Sequence, residues 1–115
     1  MKARIIAVLA TTAAVFGLMT SPAHAYGRDF TRTCDGEKTT YTAYTTNDGD
    51  YAYTRKNGGH WASCKGHAWV RIKMGGHWYA WKHDSHVAKI DGTAPIQMAQ
   101  HKGCSTCHVY TTAPL

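Results

Sequence analysis

The run HAWVRIKMGGHWYAWKH, residues 67–83, decides the fold. Before the two glycines, Ala68, Val70, Ile72 and Met74 alternate with Trp69, Arg71 and Lys73, which is the period of a strand and not of a helix. Gly75-Gly76 supplies the positive φ angles that a two-residue hairpin turn needs, and a second strand pattern follows it. In that register Met74 faces His77, Ile72 faces Tyr79 and Val70 faces Trp81, an apolar side expected to be core. The other side pairs Lys73 with Trp78, Arg71 with Ala80, and Trp69 with Lys82, because side chains alternate strictly across a strand. Trp69, Arg71, Lys73, Trp78 and Lys82 are therefore the candidate binding residues: aromatic anchors beside cations on a rigid ribbon.

Working outward, the chain from Thr31 to Trp81 is rich in Thr, Tyr and Trp and lacks a helical period. Segments 39–46 and 50–56 flank Asp48-Gly49 and read as a second hairpin, which Asn57-Gly58-Gly59 ends. A further strand is expected over 85–90, closed by Asp91-Gly92. After it, Thr93 can cap a short helix with Pro95 in its first turn, Ile96, Met98, Ala99 and Gln100 continuing it, and Gly103 just past its end. Gly-Gly-His-Trp occurs at 58–61 and again at 75–78, which in so Gly- and His-rich a chain reads as coincidence. The expectation is a mainly β fold. It is a small antiparallel sheet, barrel or sandwich of about five to six strands with one short C-terminal helix, stapled by two disulfides.

The first 25 residues read as a secretory signal peptide, leaving 26–115 as a single small exported domain. Lys2 and Arg4 precede an apolar run from Ile5 to Met19, and Ala23-His24-Ala25 has the small-residue cleavage pattern. Without that leader, 11 basic residues face 7 acidic ones, a net charge of about +4 with histidines neutral. The remaining apolar stretches are far shorter than the ~20 residues of a spanning helix. A domain of this size leaves little room for a deep catalytic cleft, Glu37 is the single glutamate, and no Ser-His-Asp pattern stands out. Binding rather than catalysis is the expectation, so the protein is read as a non-enzyme and a monomer.

Cys34, Cys64, Cys104 and Cys107 all follow the expected cleavage site, in a chain sent where disulfides persist. Four cysteines allow three pairings. The short Cys-Ser-Thr-Cys spacing favours Cys34–Cys64 with Cys104–Cys107, whereas chain entropy favours crossed pairs, because longer loops stabilise more. Cys104-Ser105-Thr106-Cys107-His108 also fits the attachment pattern of haem c and over those five residues resembles a c-type cytochrome. That resemblance implies two thioether bonds and His108 as an axial ligand.

Seven histidines follow the leader, and His67, His83 and His86 with Asp84 form the tightest set. Their donor types suit zinc or copper. The leading reading is a small secreted binding protein without a cofactor, inhibitor-like, toxin-like or wall- or glycan-binding. Its partner is then an extracellular protein, a glycan or an anionic wall polymer. Export argues against nucleic acid. The alternative is a secreted metal protein using the histidine set, or a haem protein using Cys104, Cys107 and His108.

Overall fold

The computed structural model describes residues 24, 25 and 27–115, so the expected leader lies almost wholly outside the described residues. The strands are β1 (His24–Ala25), β2 (Gly27–Cys34), β3 (Glu37–Thr45), β4 (Tyr51–Lys56), β5 (Ala68–Met74), β6 (His77–Trp78), β7 (Lys82–Asp84), β8 (Val87–Asp91), β9 (Met98–Lys102) and β10 (Tyr110–Ala113). One sheet runs β2-β3-β4-β8 and is antiparallel throughout. The other runs β1-β10-β9-β5, and the far edge of β5 pairs first with β6 and then with β7. β1 joins β10 in parallel and lies on the leader side of the expected cleavage point.

Two turns explain why the strands meet where they do. Gly75 and Gly76 have φ of 56° and 81°, so Met74 faces His77 as the two glycines predict. Asp35 and Gly36, at 53° and 80°, make the same kind of turn between β2 and β3, with Cys34 opposite Glu37. The two-residue Asp-Gly turn is thus Asp35-Gly36 and not Asp48-Gly49. Between β3 and β4 the chain instead needs five residues, and only Gly49 among them has a positive φ. Thr46 organises that longer loop, its hydroxyl accepting from the amides of Asp50 (2.7 Å) and Tyr51 (3.2 Å).

The core lies between the two sheets. Val70, Ile72 and Met74 of β5 pack with Ala99 of β9 against Ala52 of β4, Ala88 of β8 and the loop residue Ile96. A second cluster gathers Phe30, Tyr41, Ala43 and Ala68, with Tyr110 against it. Phe30 stacks on both Tyr41 and Tyr110, at centroid distances of 5.1 and 4.3 Å. The threonines Thr39, Thr45, Thr54 and Thr112 are also buried, which fits small side chains between closely packed sheets.

The expected C-terminal helix is a correction: none forms, and its second half is β9. The amide of Ile96 bonds the carbonyl of Gly49 in the β3–β4 loop, and that of Gln97 bonds the carbonyl of Lys73 on β5, so these donors are spent on partners distant in sequence. Residues 98–102 alternate half-buried and buried, with Ala99 and His101 inward. A buried histidine reads as polar in a hydrophobic pattern, which disguised the strand period. The bridges are Cys34–Cys64 and Cys104–Cys107, the locally closed pairing.

Candidate functional site

The register of the 67–83 hairpin changes part-way along. Lys73 pairs with Trp78, and the Tyr79 amide bonds the Ile72 carbonyl at 2.9 Å, as the turn dictates. Beyond that, Val70 pairs with Lys82 and Trp69 with His83, one residue later than expected. Ala80 and Trp81 together face Arg71, which is a β-bulge. One extra residue turns every later side chain to the other side of the ribbon. Trp81 leaves the core side and joins Arg71, while Lys82 swings away from Trp69. The assignment of Lys82 to the binding surface is corrected accordingly. Lys102 takes its place, aligned with Trp69 across β9.

The result is a row of alternating cations and indoles on the outer face. Lys73 Nζ is 6.0 Å from the Trp78 ring, and the Arg71 guanidinium lies 4.8 Å from both Trp78 and Trp81. Lys102 Nζ is 4.1 Å from Trp81 and 5.1 Å from Trp69. The His83 ring stacks on Trp69 at 4.0 Å. All three indoles and all three cations are half-buried. Arg71 Nε donates to Gln100 Oε1 (2.8 Å) and Lys102 Nζ to the Ser105 carbonyl (2.7 Å), so both heads are positioned without a carboxylate. Burial, and then the like charge of Arg71, push the Lys102 pKa down. Sequence reading missed Trp81 because nothing marks the bulge, and missed Lys102 because its strand read as helix.

Of the three histidines, two meet. His67 and His83 put their Nδ1 atoms 2.7 Å apart, in hydrogen-bond contact. His86 is held elsewhere, its ring 3.5 Å from where a Cβ on Gly59 would sit. Asp84 accepts from the amides of His86 (2.9 Å) and Val87 (3.1 Å), and these bonds hold its carboxyl below the usual carboxylate range. The expected trio is thus a pair, and among the described residues no group of three or more His, Cys, Asp or Glu side chains is placed to hold a metal. The haem alternative is corrected too. The Cys104–Cys107 bridge consumes both thiols that thioether bonds would need. His108 is exposed, with its ring edge-on to Tyr110 at 4.7 Å.

A shallow cleft of about 160 Å³ opens beside that bridge, floored by Phe30 and Tyr110 and rimmed by Arg32 and His108. Arg32 is committed to structure, donating to the Gly103 carbonyl at 2.9 Å and the Tyr41 hydroxyl at 3.3 Å. Comparison with known protein families, curated proteins and solved structures found no match. The aromatic and basic row on the β5 hairpin is therefore the site with the most developed chemistry.

Proposed function

We propose that this is an exported, disulfide-stabilised binding domain whose recognition surface is the row of Trp78, Arg71, Trp81, Lys102 and Trp69, and that it takes an anionic extracellular ligand. The observation that carries the reading is that, among the described residues, no carboxylate pairs with Arg71, Lys73 or Lys102. Unpaired cations at a half-buried surface repel one another, and an anion relieves that repulsion. Six of the seven acidic residues lie elsewhere: Asp29, Asp35 and Glu37 on the β2–β3 hairpin, Asp48 and Asp50 in the following loop, and Asp91 on β8, where it pairs with Lys89 at 3.5 Å. The seventh, Asp84, follows His83 on β7, and its carboxylate accepts from the amides of His86 and Val87. Two disulfides are compatible with an extracellular setting, and the leader pattern supports export.

The test is retention of the protein on a wall fraction from the producing cells at physiological salt. Arg71→Gln and Lys102→Gln should elute at lower salt while keeping the wild-type circular dichroism spectrum. Equal retention of both variants would remove the row as the recognition surface.

A further inference from the structure

We propose that the row binds a phosphodiester-linked polyol chain, the chemistry of an anionic cell-surface polymer; this rests on reading the row as an anion surface. The first argument is what the indoles have left to offer. Trp78 is contacted by Arg71 and Lys73, Trp81 by Arg71 and Lys102, and Trp69 by Lys102 and His83. Each ring that a sugar or base would stack on already has two partners. A ligand meets the cations first, so charge and not ring stacking is the recognition chemistry.

The second argument is spacing. Arg71 and Lys73 are two residues apart on one strand, six backbone bonds or about 6.8 Å. Lys102 is aligned with Trp69, a further step of two residues along the same sheet. The backbone positions of the three cations therefore step about 7 Å along the strand direction, with Lys102 displaced by one strand onto β9. Two phosphates joined through a three-carbon polyol are also separated by six bonds, P–O–C–C–C–O–P, and extend to about 7 Å by the same bond arithmetic. A 1,4-linked polyuronate turns successive carboxylates to opposite sides of its chain, so alternate charges face away. Single-stranded nucleic acid shares the phosphate spacing, but its binding draws on stacking of bases against open aromatic faces. Here each indole already has two neighbours from the protein itself.

Isothermal titration of the oxidised protein with four octamers of matched length tests this: glycerol phosphate, galacturonate, deoxythymidylate and neutral glucan. The glycerol phosphate octamer should bind at least tenfold more tightly than the others. Its log K should fall with log salt at a slope of about −2, as three cations on a single-stranded polyanion imply. Arg71→Gln and Lys102→Gln should each weaken binding at least fivefold and flatten that slope by about 0.7. Lys38→Gln, on the opposite sheet, should change neither. Galacturonate or deoxythymidylate binding as tightly, with the same dependence on Arg71, would overturn the polyol-phosphate assignment and leave the anion surface standing. Failure of every anion to bind, or indifference to both Gln variants, would remove the assignment and the surface together.

Discussion

His101 Nε2 lies 2.7 Å from the Thr112 hydroxyl, buried between the sheets, and the direction of that bond is dictated by its neighbours. Thr54 gives its one hydroxyl proton to the Trp69 carbonyl at 2.7 Å, so at 2.8 Å it accepts from His101 Nδ1–H. Nε2 then carries the lone pair and accepts from Thr112, whose oxygen accepts from Thr45 at 2.6 Å. Only neutral imidazole completes this chain. It ties the strand beneath Trp69 to both sheets.

Acid should therefore unfold the domain through His101. Burial pushes its pKa down from 6.5 to about 3. The folded state resists a proton that the unfolded chain accepts, so the stability is present above pH 6.5 and is lost as pH falls towards 3. The full difference is about 5 kcal/mol, comparable to the net stability of so small a domain. His101→Gln should lower stability at pH 7 by roughly 1–3 kcal/mol, because Thr54 and Thr112 lose a matched partner. Its urea midpoint should nonetheless change less between pH 7 and pH 4 than that of the wild type. Parallel pH profiles for the two proteins would rule His101 out as the acid trigger.

The two disulfides should differ in worth. Cys34–Cys64 closes a long loop, with a sequence separation of 30, and Cys104–Cys107 a separation of 3. Chain entropy assigns them roughly 3.6 and 2 kcal/mol. Buried Lys56 adds to the first by donating to the carbonyls of Cys64 (3.1 Å) and Gly66 (2.7 Å), which pins the segment the bridge enters. Replacing Cys34 and Cys64 by Ala should abolish cooperative thermal unfolding, while the Cys104/Cys107 pair of substitutions should lower Tm and keep a single transition. The reverse ranking would refute the loop-length argument.

The turn at Gly75-Gly76 and the alternation over Ala68–Met74 were legible because both are local: two glycines with positive φ, and a period of two. What escaped reading was non-local. The β9 strand exists because Ile96 and Gln97 bond to Gly49 and Lys73, partners far off in sequence. Local capping at Thr93 and Pro95 pointed to a helix that tertiary pairing overrides. In the candidate site, Trp69, Arg71, Lys73 and Trp78 were placed correctly up to the bulge, and the error beyond it was a single residue of register that exchanged Lys82 for Trp81.

That register gives a direct test. Deleting Ala80 removes the extra residue opposite Arg71 and restores the register set by Gly75-Gly76. Trp81 then returns to the Val70 side and Lys82 to the Trp69 side. The deletion variant should lose the contacts of Trp81 with Arg71 and Lys102, seen as loss of cross-peaks between the indole and those side chains in proton NMR spectra. Polyanion affinity should fall with them. Unchanged cross-peaks would mean that another residue absorbs the deletion and that Ala80 is not the bulge.

Trp78→Ala separates a surface role for the row from a core role. Trp78 is half-buried on the outer face of β6, in contact with Arg71 and Lys73, and it belongs to neither core cluster. Losing two cation–indole contacts of about 0.5–1 kcal/mol each should lower unfolding free energy by about 1–2 kcal/mol. A core tryptophan would cost about 3–5 kcal/mol and leave almost nothing of the domain's stability. Urea denaturation followed by the fluorescence of the remaining tryptophans measures the difference. The variant should stay folded and cooperative, with Arg71 and Lys73 still charged but less well positioned, so that polymer binding weakens more than stability does. A loss above 3 kcal/mol would place Trp78 in the interior and leave the recognition surface without its first anchor.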